Sequence, residues 1–136
     1  MTEKTFNLEI ITPRKVVFSG DVQSFTAPGS MGSFQVLFNH APLLSEITIG
    51  EARLRDSSGG ELRFATSAGF VEVNANHVVM LAETAERPEE IDGTRAEAAK
   101  SRAEKRLSHY SPDIDVERAR LALARALNRL KIAHRV

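Results

Sequence analysis

The stretch PGSMGS at residues 28–33, followed by FNHAPLL at residues 38–44, decides the fold of this chain. Its glycines and prolines interrupt apolar, strand-like runs, so they indicate turns that expose short polar loops. The stretch lies in a β-rich first half, well before a change of composition near Pro88. The sequence therefore predicts a β-domain with exposed turns, followed by a different kind of structure.

Alternating apolar and polar residues run through the first half. Phe6, Leu8 and Ile10 sit two apart with polar residues between them, as on a strand with one buried face. Further short runs are separated by turn signals such as SSGG at residues 57–60 and NAN at residues 74–76. Gly69-Phe70 is interpreted as a bulge and a core aromatic. This pattern predicts an antiparallel β-sandwich over residues 1–86.

Beyond Pro88 the strand-forming residues give way to Ala, Glu, Lys and Arg. Pro88 suits the first turn of a helix, and Ser111 can cap a second helix with Pro112 at its first position. Thin apolar stripes follow at helical spacing, through Ala96, Ala99, Ala103 and Leu107, then Ala119, Leu123, Ala126, Leu127, Leu130 and Ala133. The pattern predicts an antiparallel two-helix hairpin over residues 87–136. Because alanines bury little area, we expect it to be marginally stable alone, which favours mobility.

Composition excludes several function classes. The 136 residues carry 18 basic and 18 acidic side chains, and this balance argues against non-specific nucleic-acid binding. Cysteine is absent, which excludes disulfides and thiol catalysis. The four histidines are scattered, and no phosphate-binding GxxxxGK[ST] loop occurs. We expect an intracellular, soluble, non-catalytic protein without a metal or a required cofactor.

Charged residues form two patterns in the helical part. Asp92 and Arg95 are three apart and share a helix face, whereas Arg118, Arg125 and Arg129 follow one another at spacings of seven and four. Residues 112–136 contain six basic and three acidic side chains. One interpretation is a solvated face with weak ion pairs, worth about 0.3–0.5 kcal/mol each. The other is a basic stripe that meets an acidic partner or phosphate groups.

Three stretches together resemble the ε subunit of F-type ATP synthases. The first spans residues 27–44, and the second combines SAGFVEV at residues 67–73 with VVMLAETAER at residues 78–87. The third is an Ile-Asp-x-x-Arg-Ala motif formed by Ile91, Asp92, Arg95 and Ala96. The chain departs from the family pattern at Phe38, where a proline is common, and at Met31, where many members carry an acid.

The resemblance implies a rotor part whose sandwich docks on the γ shaft and rests on the membrane-embedded c-ring. Its implied contact residues are Gly29, Ser30, Met31, Gly32, Ser33, His40, Ala41 and Pro42. The hairpin would fold against the sandwich or extend up the shaft, where Arg118, Arg125 and Arg129 could contact the α/β catalytic head and inhibit ATP hydrolysis. The implied location is peripheral, on the cytoplasmic face of a bacterial membrane, with a plastid membrane as the alternative.

The same resemblance implies a regulatory ATP site, because some bacterial ε subunits bind ATP through this motif. Its candidate residues are Glu86, Ile91, Asp92, Arg95, Ala96, Arg125 and Arg129. Guanidinium groups suit phosphate oxygens, whereas Asp92 is expected to cap a helix or orient an arginine. Glu86 would accept a hydrogen bond from the adenine amino group.

Two other function classes stay open at the level of sequence. An RNA- or protein-binding module could use the arginine-rich second helix, although the paired aromatics of a stacking platform are absent. A small enzyme built on a sandwich would need an acid–base or nucleophile set, which the sequence does not display.

Overall fold

The computed structural model describes residues 4–109 and 111–134. The chain divides into two compact units, Met1–Arg87 and Pro88–Val136. The first unit contains strands β1 Phe6–Ile11, β2 Val16–Gly29, β3 Gly32–Val36, β4 Leu43–Ile47, β5 Gly50–Asp56, β6 Glu61–Thr66, β7 Gly69–Asn74, β8 His77–Ala82 and β9 Ala85–Glu86. The second contains a 3-10 turn at Pro88–Glu90, helix α1 Gly93–Ser108 and helix α2 Val116–His134.

The long strand β2 pairs with four other strands of the first unit. Its first half pairs with β1, its middle with β5, and its end with β3 and, at Gly29, with β4. The strands follow the order β1-β8-β7-β4-β2-β5-β6-β9, with β3 attached to β2. All pairs are antiparallel except β1 with β8, which is parallel. The predicted sandwich followed by two helices is confirmed, with this parallel pair as an addition.

The core of the sandwich comes from alternate residues of these strands. Phe6, Leu8 and Ile10 are buried, as their spacing predicts. They belong to one apolar cluster that also includes the fully buried side chains of Phe25, Ile47, Leu54, Phe64 and Met80.

Two predicted turns are confirmed as connections between neighbouring strands. Residues 57–60 join β5 to β6, where Asp56 Oδ1 accepts hydrogen bonds from Ser58 Oγ at 2.8 Å and Gly60 N at 2.8 Å. These donors lower the pKa of the Asp56 carboxyl below its ordinary value. The β7–β8 turn places Ala75 and Asn76 at φ angles of 48° and 62°, the left-handed region that Asn tolerates well.

The interpretation of Gly69-Phe70 as a bulge and a core aromatic is wrong. The pairing of β7 with β8 is continuous, with Gly69 opposite Ala82 and Phe70 opposite Leu81. Phe70 is 50% exposed. Because neighbouring strand residues face opposite sides, the burial of Val71 turns Phe70 outward. Gly69 is required by close approach, since a Cβ atom there would collide with the carbonyl oxygen of Leu81.

Both helices start later than the sequence predicted. Asp92 is the N-cap of α1, and its Oδ1 accepts a hydrogen bond from Arg95 N at 3.0 Å. Asp115 Oδ1 likewise accepts one from Arg118 N at 3.1 Å, at the start of α2. Ser111 is therefore not the cap; its carbonyl oxygen accepts from Ile114 N at 3.0 Å in a preceding turn. In each case an aspartate closer to the apolar stripe supplies the cap.

The buried face of the hairpin unit is built mainly from small side chains. Ala96 and Ala103 are buried in α1, and Ala119, Ala126, Leu130 and Ile132 in α2. Leu127, predicted to lie in the stripe, is 45% exposed. It follows the buried Ala126 by one residue, which is about 100° around a helix.

We predict that Gly69→Ala lowers the stability of the sandwich by about 1–3 kcal/mol, the usual cost of forcing atoms into a packed site. The matched control is Gly20→Ala, where the added methyl group would meet only Phe18 ring atoms at 3.5 Å or more. Thermal unfolding of both variants measures the difference. Equal melting temperatures would contradict the steric requirement at position 69.

Candidate functional site

Two segments of the sandwich carry the predicted contact residues; together we call them the rim, residues 29–33 and 37–42. Gly29 is paired with Ile47, and Ser30 N donates a hydrogen bond to Glu46 O at 3.0 Å. The chain then turns back at Met31, since Gly32 pairs with Gly29 and begins β3. Residues 37–42 enter β4 at Leu43. The two segments therefore flank β4, with Gly29 beside its last residue and residues 37–42 leading into its first.

Most predicted contact residues of the rim present their side chains to solvent. Met31 is 100% exposed, and Ser30, Gly32, Ser33, Ala41 and Pro42 are also exposed. His40 is half-buried, and its Nδ1 lies 2.7 Å from the carbonyl oxygen of Ala41. Gly29 is buried, and a Cβ atom added there would lie 2.7 Å from Gly32 O. Its role in the rim is therefore to allow the tight turn.

Asn39 and Asn76 connect the rim to the β7–β8 turn. Asn39 N donates to Asn76 Oδ1 at 2.7 Å, and Asn76 Nδ2 donates to Asn39 Oδ1 at 2.9 Å. Sequence reasoning identified Asn76 only as a turn residue and missed this pair. Nearby, Lys4 Nζ lies 5.7 Å from the ring centroid of Phe38, within the range of a cation–π contact.

A second exposed surface lies on the outer side of the β4-β7-β8-β1 sheet; we call it the outer face. Phe70 and Leu81 face each other across β7 and β8, and Ile11 is paired with Leu81. Both Phe70 and Leu81 are 50% exposed, and with Ile11 they line a groove of about 470 Å³. Glutamates share this face, since Glu46 is paired with Phe70 and Glu72 with Val79. The outer face is therefore apolar with acidic neighbours.

The hairpin unit holds most of the predicted nucleotide-binding residues. Asp92 caps α1, as expected from the sequence, so its Oδ1 is engaged by Arg95 N. Ala96 is buried and Ile91 half-buried, which gives these two residues packing roles. Arg95 and Arg118 are exposed, whereas Arg125 and Arg129 are half-buried. Glu86 belongs to the other unit, where it pairs with Ala65 in the β6–β9 ladder.

The positions of Arg95, Arg125 and Arg129 follow from the two helical faces. A shallow groove along the hairpin is lined by Gly93, Thr94, Glu97, Ala98 and Ser101 of α1 and by Leu130 and His134 of α2. The start of α1 therefore lies beside the end of α2. At about 100° per residue, all three arginines point away from the groove side of their helices. All three therefore lie outside the lining of this groove.

A metal-ligand cluster and a membrane-spanning helix are both absent from the part of the chain that the structure describes. Over residues 4–109 and 111–134, no group of three or more His, Cys, Asp or Glu could hold a metal ion. Within the same ranges, every helix is too short or too polar to cross a bilayer.

Comparison with known proteins defines the class to which this fold and these surfaces belong. Residues 5–88 match the family model of the β-sandwich domain of the ATP synthase delta/epsilon chain, and residues 89–134 match that of its long α-helix domain. The chain belongs to this delta/epsilon family of ATP synthase subunits.

Relatives within the family specify the subunit. The chain is 53% identical to the ATP synthase epsilon chain of Pelotomaculum thermopropionicum, over 98% of each protein. It is 44% identical to the epsilon chain of Syntrophomonas wolfei, over 99% of this chain and 98% of the relative. The resemblance to the ε subunit is therefore confirmed.

Solved structures share the fold at low sequence identity. A chain of the Euglena gracilis mitochondrial ATP synthase, in a complex of OSCP, F1 and the c-ring, has a TM-score of 0.78 and 20% identity, covering 88% of this chain and 76% of that one. A chain of the Tetrahymena thermophila mitochondrial ATP synthase central stalk and c-ring has a TM-score of 0.56 and 16% identity, covering 98% and 96%.

Proposed function

We propose that this ε subunit is a non-catalytic rotor component that links the γ shaft to the c-ring on the cytoplasmic face of a bacterial membrane. The observation that carries the proposal is the presence of two separate exposed surfaces on one sandwich. The rim offers small polar side chains around Met31, and the outer face offers half-exposed Phe70 and Leu81. A rotor part that joins two partners needs two such surfaces.

The chemistry of each surface suits a different partner. The apolar groove with Glu46 and Glu72 on its face suits the γ subunit through a helix that carries apolar and basic side chains. The rim suits the c-ring, because its compact turns can enter the spaces between neighbouring loops of a ring. Residues 29–33 carry no charged side chain, so this contact does not depend on ion pairs.

We predict that Ser30→Arg combined with Ala41→Arg weakens the coupling of proton movement to ATP turnover without unfolding the protein. Both positions are exposed, so the added side chains collide with the ring and not with the core. ATP-driven proton pumping per ATP hydrolysed, measured in membrane vesicles, reports the effect. The control is Ser57→Arg in the β5–β6 turn, an exposed position at the far end of β5 from Gly29. Unchanged coupling in the double variant would refute the rim assignment.

The helical unit is proposed to restrain ATP hydrolysis in the assembled enzyme. Four of the six buried residues described in α1 and α2 are alanines, so the hairpin gains little from its own packing. An extended form could exchange this packing for contacts of Arg118, Arg125 and Arg129 with acidic surfaces of the α/β head. The regulation is then a shift of population between two hairpin positions.

Deletion of residues 111–136 is expected to raise ATP hydrolysis by the assembled complex, because it removes the inhibitory helix. Replacing Arg118, Arg125 and Arg129 by Ala should give part of this increase. The matched control is Arg120→Ala with Lys131→Ala, which removes exposed positive charge from the other side of α2. Equal hydrolysis rates with and without the segment would rule out inhibition by this helix.

A regulatory ATP is proposed to bind on the side of the hairpin that carries Arg95, Arg125 and Arg129. Paired guanidinium donors suit phosphate oxygens, and the cap formed by Asp92 orients the first turn that bears Arg95. Glu86 as an adenine acceptor remains a prediction of the family resemblance. ATP bound only to the folded hairpin would disfavour the inhibitory form by mass action.

We predict that the isolated protein binds ATP weakly and that Arg125→Ala with Arg129→Ala abolishes this binding while the sandwich stays folded. Binding should weaken as salt is added, because the site is at the surface. Calorimetric titration measures the affinity, and Arg120→Ala with Lys131→Ala serves as the charge-matched control. A flat titration of the unmodified protein at millimolar ATP would contradict the site.

A further inference from the structure

The geometry points to a positioning role for the side-chain amides of Asn39 and Asn76. We propose that this pair holds the His40-Ala41-Pro42 edge of the rim in the conformation that the ring partner binds. The inference rests on the proposed rotor function. It adds that two residues 37 positions apart in sequence give the contact loop its shape.

The pair is reciprocal, and this fixes both the position and the direction of the loop. The side chain of Asn76 accepts from the backbone of Asn39 at 2.7 Å and donates to its side chain at 2.9 Å. Two hydrogen bonds between the same two residues restrain rotation as well as distance. His40 follows directly, so its orientation depends on the restrained backbone of Asn39.

Asn76 is itself tied to the strands of the sandwich. Its carbonyl oxygen accepts a hydrogen bond from Asn7 N in β1 at 3.0 Å. It also closes the turn between β7 and β8. The amide pair therefore connects the rim loop to three strands of the sheet, whereas the bond from His40 N to Leu37 O, at 3.1 Å, lies within the loop.

Backbone conformation distinguishes this role from a simple turn preference. Asn39 and Asn76 have φ angles of 63° and 62°, which glycine adopts at least as easily. Glycine at either position would satisfy the backbone but would remove the side-chain bonds. The amides are therefore the feature that adds positioning to the turn.

The test separates the amide pair from the flexibility of the turn. Asn76→Gly keeps the positive φ and removes both side-chain bonds, whereas Asn76→Asp keeps an acceptor for Asn39 N and provides partial rescue. Ala75→Gly is the matched control, because Ala75 also has a positive φ, of 48°, in the same turn. Asn39→Gly, which removes only the bond to its side chain, decides the question if Asn76→Gly does not assemble.

Two measurements are made on the full chain and on the assembled complex. In the isolated protein, amide hydrogen exchange at Asn39 should accelerate by about threefold to tenfold in Asn76→Gly, as expected for lost exposed hydrogen bonds. Exchange at core positions such as Val71 and Val78 should not change. In vesicles, proton pumping per ATP hydrolysed should fall in Asn76→Gly, recover in part in Asn76→Asp and stay normal in Ala75→Gly.

Each contrary result has a distinct meaning. Unchanged exchange at Asn39 would overturn the positioning role directly. Faster exchange with unchanged coupling would also overturn it, provided that Ser30→Arg with Ala41→Arg uncouples the same complex. If that rim variant leaves coupling intact as well, the proposed ring contact fails and the positioning inference fails with it.

Discussion

The pairing of β2 with β1, β3, β4 and β5 is the constraint on which the rest of the structure depends. Its first half is paired with β1, its middle with β5 and its end with β3. Near the end of β2 two segments approach closely, since a Cβ at Gly50 would lie 2.6 Å from the Cβ of Pro28. Gly29 follows directly, pairs with Ile47 of β4 and begins the rim turn.

The two units carry surface patches of opposite charge. The outer face of the sandwich combines Phe70 and Leu81 with glutamates, whereas α2 carries arginines at spacings of seven and four. Because the formal charges of the whole chain balance, neither character is visible in the net charge. Local patches of opposite sign can direct a neutral protein to different partners, since screening confines their effect to about 10 Å.

Sequence alone predicted the elements whose signal is local. The alternation of Phe6, Leu8 and Ile10 fixed a buried strand face, and the Asn residues at 74 and 76 indicated a turn. The exposure of Phe70 was also encoded, because it shares a strand face with Glu72 and not with Val71. The prediction of a core role for Phe70 was based on its large apolar side chain and not on the two-residue period of the strand.

Sequence alone did not predict features that depend on a choice between competing helix caps or on contacts between residues far apart in sequence. Ser111 and Asp115 are both acceptable caps, and caps differ by only about 1 kcal/mol, so packing of the helix decides between them. The Asn39–Asn76 pair joins residues that only the assembled sheet brings together. For the candidate ATP site, the Asp92 cap follows from local spacing, whereas any joint action of Arg95 with Arg125 and Arg129 depends on how α1 and α2 pack, which local spacing does not determine.

The two units therefore distribute stability in a way that suits their proposed tasks. The rim belongs to a sandwich whose core contains large buried side chains, such as Phe25 and Phe64. The Asn39–Asn76 amide pair restrains it further. The hairpin buries mainly alanines, each of which contributes less than a leucine or phenylalanine would. A contact that transmits torque needs a fixed shape, whereas a regulatory element needs two states of similar free energy. Placing large apolar residues in one unit and alanines in the other meets both requirements within a single chain.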